Sequence, residues 1–236
     1  MSVKNLVEEL KKISENFKNQ LLNSFIQYSF ERYYRRRYET KYKLIDLLKS
    51  LGIENCEVIH VSELIKCKQQ CIFEEHYIKT SEDYAKYCFR VSMIFGDAIE
   101  REVIDLMKLP KGYITFKKIE VGSKTYVIVG SCDAIFEDYV IEIKARTKFE
   151  QDRVFPTPLQ IAQTKLYAWL YNKQYGLLIL VHPNDVNVIV EKAYTDNEVR
   201  DLILTWSSPR YPFECIYCTF KDICKQRQMQ VLITDY

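Results

Sequence analysis

Residues Tyr126 to Ala145, YVIVGSCDAIFEDYVIEIKA, decide how the rest of the chain is read. The first half alternates Val127 and Val129 with polar Ser131 and Asp133 following in the same phase. The second half sets Val140, Glu142 and Lys144 against Tyr139, Ile141, Ile143 and Ala145. Period-two alternation in β-branched and aromatic residues predicts two strands turning at Glu137-Asp138. A turn with two central residues puts Asp133 opposite Glu142 and Ser131 opposite Lys144. Directly opposed Cβ atoms sit roughly 4.5–5.5 Å apart, and like charges there repel. Two carboxylates forced together in an apolar strand call for a divalent cation. A lone Glu-x-Lys is usually a solvated strand face, but Val140, Ile141 and Ile143 imply burial, where charges occur paired or metal-bound.

Around this stretch the composition is that of a soluble globular protein: 236 residues, 47% hydrophobic and 28% charged. No apolar run approaches the roughly 20 residues that cross a bilayer. The start MSVKNLVEELKK lacks a signal-peptide core, so a cytoplasmic location without a membrane is expected. Structural disulfides are uncommon there, and eight cysteines need another explanation. Net charge is only +2, so nucleic-acid binding would rest on local patches.

Residues 3–50 read as one or two helices, with Leu6, Leu10, Ile13, Phe17 and Leu21 near helical spacing. Within them, Glu31 to Lys43 carries six basic and two acidic residues, a local charge of +4. Tyr34 and Tyr38 interleave with Arg35, Arg36 and Arg37, a pattern suited to single-stranded nucleic acid, although a solvated helix face reads the same way. A short strand is expected at 57–61, and Ser62 as the N-cap of a helix running through Leu64 to Cys67. Residues 91–108 form a strong helix on which Glu100 has Gly96, Val103, Ile104 and Met107 as neighbours, so it lies at a core edge or points into a site. After it, a meander from Tyr113 through Gly122-Ser123 runs into the opening stretch.

Thr157, Pro158 and Gln160 make a helix start with capping-box spacing. That helix carries Gln163 and Tyr167 on one face, directly after the Glu-x-Lys strand. Gln163 could fix a water or phosphate, and Tyr167 could contact a nucleic-acid backbone. YGLLILV at 175–181 reads as a buried strand, completing a right-handed parallel crossover. A strand follows at 186–193, and Thr195 with Glu198 caps a last helix.

Cys215, Cys218 and Cys224 form C-x2-C-x5-C, a strong sign of a metal or cluster. The fourth ligand is open among Cys56, Cys67, Cys71, Cys88 and Cys132, with Cys132 expected in the core. Zinc and an iron–sulfur cluster are both compatible with thiolates.

Four ordered elements carry a resemblance: VSELIKC at 61–67, GSCD at 130–133 with IEIK at 141–144, QTKLY at 163–167, and the closing cysteines. Together they resemble the RecB-type PD-(D/E)xK nucleases with a four-cysteine iron–sulfur cluster, and more narrowly the fourth CRISPR-associated protein family. The resemblance implies a restriction-endonuclease-like α/β mixed-sheet core at 61–236, preceded by a helical extension at 1–60 and ending in a cysteine lobe. It implies Mg²⁺ or Mn²⁺ on Asp133 and Glu142, with Lys144, Gln163 and Tyr167 completing the catalytic set. It also implies a 4Fe–4S cluster on Cys67, Cys215, Cys218 and Cys224. The implied activity is exonucleolytic cleavage of single-stranded DNA ends, trimming spacer precursors with the CRISPR integrase complex. Two departures stand out. Glu100 occupies the position where the family carries a histidine, and can itself ligate the metal; and about 60 residues precede Ser62. A non-catalytic nucleic-acid-binding protein on the same scaffold, viral or cellular, is the alternative.

Overall fold

The structure is a computed structural model that describes residues 3–50, 52–53, 55–146 and 156–226; the side chains of 3–10, 13, 36 and 37 lie outside the description, as does the polar loop after Arg146. Helix α1 (Val3–Tyr34) passes through a π-helical turn (Arg35–Glu39) into α2 (Thr40–Ser50). Of its expected stripe, the side chains of Leu6, Leu10 and Ile13 lie outside the described residues, and the remaining two are not buried. Phe17 and Leu21 are exposed, whereas Leu22, Phe25, Ile26, Phe30 and Tyr33 pack against Ile78, Tyr84, Phe89 and Phe220. Helical spacing alone did not say which face would find a partner. On α2, Leu44 and Leu48 are buried with Val58, Val127 and Val129.

Strand β1 (Cys56–His60) leads into a one-turn helix α3 (Val61–Leu64), then α4 (Lys68–Tyr77), α5 (Ser81–Tyr87) and α6 (Val91–Leu106). The N-cap of α3 is His60 rather than Ser62. His60 Nδ1 accepts from the Ser62 amide at 3.2 Å, and Glu63 accepts from the His60 amide at 2.9 Å. An imidazole nitrogen can do what a hydroxyl does, and the strand's last residue was the one with extended backbone. The helix also stops at Leu64, with Cys67 standing as the N-cap of α4.

Two sheets follow. The first has the order β1-β3-β2, with β2 (Thr115–Val121) and β3 (Lys124–Gly130) antiparallel across Gly122-Ser123, and β1 parallel to β3. Gly122 sits at φ 61°, the left-handed value such a two-residue turn requires. The second has the order β4-β5-β6-β7, with β4 (Ala134–Phe136), β5 (Tyr139–Ala145), β6 (Tyr175–His182) and β7 (Asp185–Lys192).

The expected single hairpin from 126 to 145 is therefore two pieces. The turn at Glu137-Asp138 and its register hold, with Ala134 opposite Ile141 and Phe136 opposite Tyr139. But β3 belongs to the other sheet, and Ser131, Cys132 and Asp133 carry the chain across. Ser131 does not face Lys144, whose partner is Leu180 on β6. Alternation persists through a strand that changes sheets, so the pattern alone could not reveal the break.

Helix α7 (Pro158–Leu170) joins β5 to parallel β6, and the capping box of Thr157 and Gln160 opens it. It is enclosed on nearly every side: Ala162, Leu166, Ala168, Trp169 and Leu170 pack with Ile59, Leu64, Ile128 and Val140, and with Val199 and Ile203 of α8 (Asp196–Leu204). The opposite face of the second sheet packs Ile141, Ile143 and Ile179 against Ile104 of α6. The apolar residues of α6 are only partly buried: Phe95 and Leu106 remain exposed, as does Met107 just past its end. No helix among the described residues is long and apolar enough to cross a membrane.

Candidate functional site

The crossover between the sheets builds an acidic centre. Asp133 is pinned from three directions: its amide donates to Ile141 O at 3.2 Å, its carbonyl accepts from Gly112 N at 3.2 Å, and its Oδ2 accepts from Ile143 N at 2.8 Å. The segment leaving α6 grips the next residues, with Ile135 N donating to Pro110 O at 2.9 Å. Across from Asp133, Glu142 is 2% exposed on β5. Lys144 Nζ donates to Glu142 Oε1. The other oxygen, Oε2, is buried with no hydrogen-bond partner. An orphaned carboxylate oxygen in the interior carries an unpaid desolvation penalty of about 1–3 kcal/mol or more. A cation would relieve it.

Burial, then the charge of Asp133, pushes the Glu142 carboxyl well above the usual carboxylate range, with Lys144 pulling the other way. A carboxyl raised in the folded state stays protonated there while its unfolded counterpart has already ionised. The folded chain then binds the extra proton, and stability falls as pH climbs through that window. In metal-free protein the thermal midpoint should drop between about pH 5 and about pH 8, and Glu142→Gln should flatten the drop. An equally steep decline in that variant would assign the titration to another group.

Glu100 comes from α6. Its charge is felt by both Glu142 and Lys144. Its carboxylate is held by Arg32 of α1, with Nη2 3.2 Å from Oε1, while Arg32 Nη1 lies 3.0 Å from Asp97 Oδ2. Neither Arg32 nor Asp97 was singled out from the sequence. Arg32 lay inside the basic run, and Asp97 stands one helical turn before Glu100, but a contact 68 positions long has no local signature.

From α7, Gln163 Nε2 reaches the Tyr167 hydroxyl at 3.5 Å, and Tyr167 is 3% exposed. Burial first and the negative charge of Glu142 second hold its phenol well above its ordinary value, so it is a neutral hydrogen-bonding group beside the acids. The ring passes close over Gly130, where an added Cβ would come within 2.9 Å of it. Gln160 serves only the helix cap. Gln163, Tyr167 and Ser131 form one end of a cavity of about 490 Å³.

The basic-aromatic run divides. Arg35 lines this cavity, and Tyr34 is 45% exposed. Tyr38 is 5% exposed, with the rings of Tyr33, Tyr34 and Tyr42 around it, and offers no free face to a base. The side chains of Arg36 and Arg37 lie outside the described residues.

The cysteine tail closes on a second place. Cys67, Cys215, Cys218 and Cys224 line one small cavity together with Phe73 and Glu214. The approach is made by backbone: Cys67 N donates to Glu214 Oε1 at 2.7 Å, Lys68 N to Ser207 O at 3.0 Å, and Gln69 N to Ser208 Oγ at 2.7 Å. Glu214 also accepts from the amides of Arg210 and Tyr211, at 2.9 and 2.8 Å. Burial pushes the Cys218 thiol up to about 11, with Cys67, Cys224 and Cys215 adding to the rise. Cys71, the competing candidate, turns its thiol to Glu63 O, and Cys132 lies buried with its thiol against Ala134 O. Among the described residues, no group of three or more His, Cys, Asp or Glu closes to an arrangement that could hold an ion. At the first place the orphaned Glu142 oxygen beside Asp133, and at the second the four thiols lining one cavity, are donors of the kinds that metals take.

No protein-family model matches the chain. It is 30% identical over 203 residues to a CRISPR-associated exonuclease, Cas4 of Saccharolobus solfataricus, an alignment covering 78% of this chain and 94% of the relative. The solved structure of SSO0001 superposes with a TM-score of 0.70 at 24% identity, covering 90% of this chain and all of that one, which establishes a shared fold. An alkaline exonuclease from Laribacter hongkongensis, at a TM-score of 0.36 and 12% identity, is too distant to add to this.

Proposed function

The chain belongs to the CRISPR-associated Cas4 exonuclease family, and we propose that it is a Mg²⁺- or Mn²⁺-dependent deoxyribonuclease trimming single-stranded DNA ends. The observation that carries this reading is the buried Glu142 oxygen without a partner, set beside Asp133 and Lys144. Asp133 and Glu142 would hold the ion, with Glu100 at its margin. When bound, such an ion neutralises charge on the scissile phosphate and acidifies a water. Lys144 supplies a fixed positive charge next to Glu142, suited to a developing phosphate oxyanion. Gln163 offers an amide that orients a water or phosphate oxygen, and Tyr167 keeps a neutral hydroxyl in the same place.

In this reading Cys67, Cys215, Cys218 and Cys224 hold a 4Fe–4S cluster as a clasp, and residues 1–60 are an extension to a nuclease domain at 61–236, with its last strand, β1, joined to the sheet of that domain. The biological setting is the trimming of spacer precursors alongside the CRISPR integrase complex. One observation favours the second reading, a binding protein without activity: Glu100 is already engaged by Arg32.

The test is cleavage of end-labelled single- and double-stranded DNA with Mn²⁺, on protein purified without oxygen. The expected result is stepwise shortening of the single strand, absent in chelator. Tight binding without shortening would transfer the assignment to the non-catalytic reading.

A further inference from the structure

The cavity lined by Gln163 and Tyr167 is lined by the N-terminal helix as well. Ser29, Arg32 and Tyr33 of α1 line it, and so does Arg35 from the π-helical turn. Ser29 is 6% exposed, and its hydroxyl is buried with no hydrogen-bond partner. Unmatched buried hydroxyls are uncommon in folded chains, and each calls for a partner such as a water, an ion or a ligand atom. Arg35 is weakly held: its Nε lies 3.8 Å from Glu39, and its side chain is 75% exposed. The π-helical turn that carries it is a backbone departure frequent at functional sites. Of the cations in the lining, Arg32 is paired with Asp97 and Glu100 and Lys66 with Glu74, which leaves Arg35 as the least engaged. Tyr33 and Tyr84 also line it, but Tyr84 is 1% exposed with its ring packed against Phe30, Tyr33 and Phe89.

The volume, about 490 Å³, falls in the range of small-ligand pockets, roughly 300–1,000 Å³. An exposed arginine, an unsatisfied hydroxyl and a half-buried tyrosine, Tyr33, suit one nucleotide, whose phosphate and base want those two kinds of wall. Residues of α1 and of α7 line the same space. We infer that this chamber seats a single unpaired nucleotide of the substrate strand, its phosphate on Ser29 and Arg35, adjacent to the acidic centre. The inference rests on the nuclease reading for the identity of the strand. It makes α1 part of the substrate site.

The experiment is calorimetric binding of the oligonucleotide (dT)6 without divalent cation, with dTMP and inorganic phosphate as separate probes. Arg35→Ala and Ser29→Val should each weaken (dT)6 binding roughly tenfold, as loss of a charge-assisted or buried phosphate contact does. dTMP should weaken in parallel. Arg35 is exposed, so its variant reports binding without a folding penalty, and a thermal melt checks Ser29→Val. Unchanged affinity in Arg35→Ala, or inorganic phosphate competing as well as dTMP, would overturn the nucleotide chamber. If wild type cleaves DNA and the variants bind normally, the nuclease reading survives and the chamber falls. If wild type never cleaves while the variants lose affinity, the chamber survives and the nuclease reading falls.

Discussion

Asp133→Asn loses cleavage on the order of 10³-fold, the scale of removing a preorganised electrostatic group, and the protein stays at least as stable. The substitution keeps the shape and keeps an oxygen to accept the Ile143 amide, now bonded at 2.8 Å. What disappears is one negative charge beside Glu142, whose carboxyl is pushed upward by burial and then by Asp133 itself. Relieving that repulsion should raise stability by up to about 1 kcal/mol, the usual direction when a strained functional site is disarmed. Cleavage of labelled single-stranded DNA and a thermal melt in metal-free buffer measure the two halves. A variant that still cuts within tenfold of wild type would remove Asp133 from the centre. One that loses both activity and several degrees of melting temperature would make it a structural residue.

The second large effect concerns the cysteines. Cys67→Ser or Cys215→Ser should remove the broad visible absorption of anaerobically purified protein and lower its stability by about 3–5 kcal/mol, the loop-closure scale for a cross-link spanning well over a hundred residues. The contact between Cys67 and Glu214 already joins positions 147 apart. Glu214 supports that junction with two further amides, but hydrogen bonds of this kind contribute only about 1 kcal/mol each. The covalent and ionic bonds of a bound metal centre would carry most of the clasp. A colourless protein containing zinc, with the same loss of stability on mutation, would keep the clasp and change its metal. Variants as stable as wild type would end the clasp idea altogether.

Local features of the fold were readable because local chemistry makes them. The capping boxes at Thr157 and Thr195 formed where their spacing put them, since cap and amide lie three residues apart. The register from Ala134 to Ile141 followed from a two-residue turn. Ser62 failed as a cap because His60, with the same capacity to accept an amide proton, lay at the end of the strand. The passage from one sheet to the other at Ser131 to Asp133 left the alternation undisturbed, so no pattern in the residues could announce it.

What the sequence by itself determined was the inventory: two carboxylates and a lysine on a buried β-strand pattern, a glutamine and tyrosine on the next helix, and three closely spaced thiols. Those are set by residue type and by periods of two and 3.6, which act over a few positions. Only the tertiary structure decided which of them meet. Arg32 reaches Glu100 across 68 positions, Cys67 reaches the tail across more than a hundred, and α1 shares the lining of one cavity with Gln163 and Tyr167. Such contacts depend on how helices and sheets pack, through many weak apolar contacts summed over the whole core, and no short stretch of the chain contains that sum.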